Sequence, residues 1–133
     1  MPLSARFALK LLLDTHVLLW ALHAPERLTA ESRAMITDGS NEVFFSAASV
    51  WELAIKSSRG KLDLDPGFLK AAEQTRFTEI PIRISHAWMV RDLPPIHGDP
   101  FDRILIAQAQ MERLTLVTRD RLFAQYGLLL IDA

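Results

Sequence analysis

Apolar and polar residues are laid out along the chain in short blocks of changing period. Leu11, Leu12 and Leu13 form a continuous apolar run with no alternation, the pattern of a strand buried on both faces of a parallel sheet. Val17, Leu18, Leu19, Ala21 and Leu22 then follow a helical period. Thr29 is placed to cap a short helix that runs through Ile36 and stops near Asp38-Gly39, before a second strand over Glu42 to Ser46. Ser46 caps the next helix, Ala47 to about Ser58, whose inward face is expected at Ala48, Trp51 and Ile55, with Gly60 ending it. Pro66 is expected to open a helix to about Thr75. Thr78 to Ile82 is the weakest strand, and its Pro81 suggests an edge or a strand end. Ser85 is expected to cap a helix containing Trp88 and Met89. Pro94 to Gly98 is the longest breaker cluster, and Pro100 then starts a helix to about Arg113 with Ile104, Ala107, Met111 and Leu114 at core spacing. Leu114 to Thr118 reads as a strand, Asp120 to Tyr126 as a short helix, and Leu128 to Ile131 as a last strand.

Strands alternating with helices predict a single three-layer α/β/α domain around a mainly parallel sheet of about five strands. The expected domain covers residues 7–133, preceded by a short extension at 1–6. At 133 residues the chain suits one domain, and 50% hydrophobic with 23% charged residues is ordinary globular composition. The absence of cysteine removes disulfides, thiolate zinc sites and a cysteine nucleophile, and it is compatible with a reducing, cytoplasmic setting. The basic residues before Leu11 lead into an apolar run too short for a signal peptide or membrane span. A formal net charge of -1 leaves no basic field for holding phosphates, so a nucleic-acid partner would need another source of positive charge. A divalent cation is one.

Carboxylates supply the candidate chemistry. Asp14 ends the first strand, Glu52 lies in the second turn of the helix after the second, Asp102 lies in the first turn of the helix that Pro100 opens, and Asp120 follows the strand ending at Thr118. In an open parallel sheet all four positions lie toward the carboxyl edge, where such folds collect ligands. Carboxylates gathered there repel unless a cation joins them, and an oxygen-only donor set favours Mg²⁺ or Mn²⁺. Each acid also has a plainer reading. Asp14 and Asp120 suit helix caps, Asp102 complements a helix dipole, and Glu52 with Lys56 makes an i, i+4 pair contributing about 0.2–0.5 kcal/mol if exposed. Asp99, just before Pro100, suits the N-cap better than a metal. Trp20, Trp51 and Trp88 sit at apolar helix positions and are expected in the core or at a protein interface. Arg103, Arg119, Lys56 and Arg59 are possible phosphate contacts. His16 and His97 are expected as rim or loop hydrogen-bonders.

The segments LLLDTHVLLW, SAASVWELAIK, DPFDRILIAQA and LTLVTRDRLF, in this order and spacing, resemble the PIN-domain nucleases, most closely the VapC-type toxins of bacterial toxin-antitoxin pairs. The likeness spans Lys10 to Ile131. It implies metal-dependent hydrolysis of phosphodiester bonds, usually in RNA, by an acidic site corresponding to Asp14, Glu52, Asp102 and Asp120, with Thr118 matching a hydroxyl beside the metal. In many such chains the third acid stands one residue nearer the IAxA segment, where this chain has Arg103. The implied mechanism is attack on phosphorus by metal-activated water, leaving a 5′-phosphate and a 3′-hydroxyl. The resemblance also implies a cognate antitoxin as partner, and a homodimer. Metal-independent 2′-hydroxyl chemistry would want paired histidines, and His16, His23, His86 and His97 lack such spacing. Two rivals are a catalytically silent interaction module of the same fold and an α/β phosphoryl-transfer domain with Asp14 as acceptor. For the latter, a haloacid-dehalogenase pattern wants an acid where His16 stands, and P-loop and Ser-hydrolase signatures are absent.

Overall fold

A computed structural model of the chain describes residues 8–133, so the expected extension at 1–6 lies outside the described residues. Strand β1 (Lys10–Leu13) occupies the centre of a five-stranded sheet, flanked by β2 (Glu42–Ser46) and β4 (Thr115–Thr118), with β3 (Thr78–Ile80) and β5 (Leu130–Asp132) at the edges. All four pairings are parallel, and Leu12 stands opposite Phe44 on one side and Leu116 on the other. This is why the Leu11 to Leu13 run shows no alternation. Leu11 and Leu13 enter one core with Val17, Leu18, Phe45 and Leu53, whereas Leu12 enters the opposite core with Leu105, Ile106, Leu116 and Phe123.

Helices cover both faces. On the first lie α1 (Thr15–His23), α2 (Ala30–Thr37), α3 (Ala47–Ser58) and α4 (Phe68–Gln74); on the second α6 (Pro100–Glu112) and the 3₁₀ segment Arg121–Tyr126. The short α5 (Ile84–Met89) packs beside α6. Thr29 and Ser46 cap α2 and α3 by accepting from the amides of Ser32 and Ala48. The three-layer α/β/α class expected from the sequence is the fold observed.

Several local expectations need correction. The third strand stops at Ile80, because Pro81 has no amide to continue the ladder. Pro66 stays in a turn in which Asp65 accepts from the Gly67 amide, so α4 begins at Phe68. Helix α5 is capped at Arg83 rather than Ser85: the buried His86 takes the Arg83 amide on Nδ1 at 3.0 Å and places Nε2 3.0 Å from Glu112. The segment after Asp120 is 3₁₀, and the last strand lies at Leu130–Asp132, starting two residues and ending one residue later than expected. Two helix faces are also shifted. In α3 the inward residues are Ala48, Ser49, Glu52 and Leu53, leaving Trp51 57% exposed; in α6 they are Leu105 to Ala109, leaving Met111 42% exposed. Of the tryptophans, Trp88 is likewise exposed and Trp20 is half-buried beneath the Arg27 and Arg119 guanidiniums.

Candidate active site

The carboxyl ends of β1, β2 and β4 set the acids. Asp14 follows β1 directly and caps α1, its Oδ1 accepting from the Val17 amide at 2.8 Å. Its Oδ2 accepts from the Thr118 hydroxyl at the end of β4, and the same hydroxyl accepts from the Asp120 amide at 3.0 Å. One threonine thus joins two of the acids. Glu52 is turned inward from α3: Oε1 accepts from Thr15 at 2.7 Å, Oε2 pairs with Lys56 at 2.7 Å, and Ser49 completes the chain through Thr15. Thr15 and Thr118 lie far in sequence from the acids they hold, whereas Lys56 stands one turn from Glu52. For the Thr15–Ser49 part of the chain, the Thr after Asp14 and the Ser one turn before Glu52 were the only local traces.

Asp99 takes the N-cap position expected of it. Asp99 Oδ1 accepts from the Phe101 amide at 2.8 Å and caps α6. Asp102, one turn into the helix, is half-buried and has no hydrogen-bond partner among the described residues. Burial foremost, then the charges of Asp99, Glu52 and Asp14, lift its carboxyl to about 6, with His97 opposing. Burial likewise raises Asp14, against the opposing hydrogen bonds from Thr118 and Val17 and with a smaller upward push from Glu52. Lys56 is raised by its bond to Glu52, with Asp99 and Asp102 adding to the effect.

His97, read from the sequence only as a loop hydrogen-bonder, is part of this edge. Its Nε2 lies 2.9 Å from Asp120 Oδ2, its backbone amide donates to the Tyr126 hydroxyl at 2.7 Å, and its ring stacks on Phe123. The Tyr126 hydroxyl lies 3.3 Å from Nδ1, so donation there leaves Nε2 carrying the proton given to Asp120. Ligand atoms of His97, Asp102 and Asp120 all fall within 4.8 Å of one another; Asp14 and Glu52 share the edge and its field but not that tight group. The signal in the sequence was a histidine two residues before an N-cap acid, inside a breaker cluster that hid its direction.

The donor chemistry fits a divalent cation. Oxygen donors dominate, Asp14 and Asp102 are driven toward protonation by burial and by neighbouring acids, and Lys56 is the basic side chain paired with Glu52. Of the other basic residues considered, Arg103 donates to the carbonyls of Pro94, His97, Val90 and Leu93, and Arg119 to those of Ala133 and Arg27. Both therefore serve the fold.

A parallel sheet that gathers acids at the carboxyl end of its central strands defines an α/β domain with an acidic edge. Residues 11–129 match the PIN domain family model, and the chain belongs to that family. No significant match arises among curated protein sequences. Among solved structures, a chain of the Rickettsia felis VapBC2 complex bound to a promoter DNA fragment superposes with a TM-score of 0.70 at 16% identity, covering 92% of this chain and 98% of that one. A chain of DNA-bound VapBC from Salmonella typhimurium gives 0.65 at 21%, covering 93% and 98%, and one from Neisseria gonorrhoeae FitAcB gives 0.58 at 23%, covering 92% and 96%. At these identities the likeness is one of fold.

Proposed function

We propose that the chain is a Mg²⁺- or Mn²⁺-dependent endoribonuclease, the toxin of a toxin-antitoxin pair, with Asp14, Glu52, Asp102 and Asp120 as its catalytic acids. The observation that carries the reading is their placement at one sheet edge, where Asp102 is lifted to about 6 by burial and by its acidic neighbours. Asp14, Glu52, Asp102 and Asp120 would hold the cation, with Thr118 acting indirectly. A bound divalent cation supplies Lewis acidity toward the phosphate and a water of lowered pKa.

The chain's own contribution is alignment and charge. Thr118 and the Val17 amide hold Asp14, Thr15 and Lys56 hold Glu52, and His97 Nε2–H holds Asp120. Asp14, Glu52 and Asp120 are thereby fixed before substrate arrives, which lowers the reorganisation needed in the transition state.

The partner is a VapB-like antitoxin, a proposal supported by the toxin-antitoxin complexes among the structural neighbours. Homodimerisation is supported by the exposed Ile84 (90%) and Trp88 (65%), one turn apart on α5. Sedimentation of the isolated chain as a monomer alone would remove the dimer. No helix among the described residues is long and apolar enough to cross a membrane.

Antitoxin-free protein incubated with total bacterial RNA and Mn²⁺ should give discrete fragments with 5′-phosphate ends. Asp14→Asn should lower the rate by at least about 10²-fold. Equal cutting by the variant would overturn the assignment. Folded protein that neither cuts nor binds Mn²⁺ in calorimetry would instead be the silent module.

A further inference from the structure

Beside the acidic edge, α3 and the first turn of α6 enclose a cleft of about 350 Å³ whose lining includes Glu52, Lys56, Arg59, Lys61, Asp99 and Phe101. Glu52 and Asp99 make it continuous with the candidate active site. Acids that attract a cation also repel the rest of a polyanionic strand, so a strand lying across them needs cationic flanks. Arg103 and Arg119 are committed to backbone carbonyls, and Lys56 neutralises Glu52. The side chains of Arg59 and Lys61 have no hydrogen-bond or ion-pair partner among the described residues, and both line the cleft.

Phe101 supplies an aromatic ring to the wall next to them, with Trp51 beside it outside the cleft lining. Phe101 meets the half-exposed Trp51 edge to face, with centroids 5.0 Å apart and planes at 79°. Each ring restricts the other, giving a preset surface of the kind that single-stranded nucleic acids use for base stacking. The opposite side of the edge, lined by Asp14, His16, Trp20, Arg119 and Asp120, differs. There the guanidinium of Arg119 lies over Trp20 at 4.3 Å, so that indole face is already covered.

We propose that this cleft seats single-stranded RNA next to the scissile phosphate, with Arg59 and Lys61 meeting backbone phosphates and the Phe101–Trp51 pair stacking an unpaired base. The inference rests on the endoribonuclease reading above and names the part of the chain that grips the substrate.

The test is fluorescence anisotropy of a labelled, mixed-sequence single-stranded RNA with the full chain carrying Asp14→Asn, across a series of salt concentrations. Arg59→Gln and Lys61→Gln should each weaken binding several-fold and reduce the salt slope by about 0.7. Phe101→Leu should weaken binding about tenfold with the slope unchanged, and Phe101→Tyr, which keeps the ring, should bind like its parent. Lys10→Gln removes the same charge at the other end of the sheet and should change nothing. Equal losses for Lys10→Gln and Lys61→Gln would mean a diffuse field and overturn the proposal, as would tight binding by the Arg59, Lys61 and Phe101 variants alike. In that case RNA cleavage by the chain with Asp14 intact leaves the nuclease reading standing, whereas absence of cleavage there defeats the nuclease reading itself.

Discussion

Asp102 carries a charge that the metal-free fold disfavours. Because its folded pKa, about 6, exceeds the ordinary carboxyl value of 3.8, the native state binds more protons than the unfolded one between about pH 4 and 6. Its contribution to stability is therefore best below pH 4, falls as pH rises through that window, and stays low above 6. Asp102→Asn removes the charge, and after discounting for the solvent that reaches this half-buried group the gain should be about 1 kcal/mol at pH 7. Urea unfolding in chelator should show that gain at pH 7 and lose it by pH 4, with cleavage abolished throughout. A variant less stable than wild type at both pH values would contradict the repulsion account. The acids stood out in the sequence because each follows a strand or opens a helix. Thr15, Ser49 and His97 did not, because what gives them meaning is a contact 23 to 37 residues away.

At the scale of the element, the Val90 to Gly98 connection depends on one fork. Arg103 donates from two nitrogens to four carbonyls in residues 90–97, a geometry that a lysine ammonium cannot span. Arg103→Lys should cost about 2 kcal/mol and speed amide exchange across 90–98 while β1 stays protected, as read by hydrogen-exchange mass spectrometry. Because His97 sits in that connection, cleavage should fall too. Unchanged exchange would show the carbonyls satisfied by other means. The same scale explains the two misplaced helix faces. Glu52 in α3 and Gln108 in α6 are polar residues turned inward, the first toward the acidic edge and the second to the Pro81 carbonyl. A polar residue reads as outward, so the apparent apolar stripe rotated toward Trp51 and Met111. The strands were easier. A triple-leucine run needs burial on both faces, and Pro81 marks an edge, whatever lies elsewhere in the chain.

Across the whole molecule, the two cores share β1 and so share their fate. Leu12 supports one and Leu11 with Leu13 the other, which ties both helical layers to a single strand and predicts one cooperative unfolding transition. A cation held at the acidic edge should raise that transition by mass action, by about 2.7 kcal/mol at a hundredfold excess over its Kd. Thermal unfolding with Mn²⁺ should show the rise and chelator should reverse it. Asp102→Asn, already stabilised without metal, should respond far less. Equal Mn²⁺ shifts in wild type and variant would place the cation elsewhere. The alternation of strands and helices sufficed to foresee the layers and the direction of the sheet, whereas the way the acids interlock could not be read until the chain closed on itself.

The bond between Thr118 and Asp14 spans 104 residues, and the Asp14 amide reaches the Val117 carbonyl across the same central seam. During translation, a ribosome that has made the first hundred and ten residues has already delivered Asp14, Glu52 and Asp102. It has not delivered the strand that locks Asp14 in place. Those two bonds, which hold Asp14 at the acidic edge, therefore cannot form until synthesis has passed Thr118, well after those acids themselves have been made. The order of the strands along the chain thus sets when that edge can close.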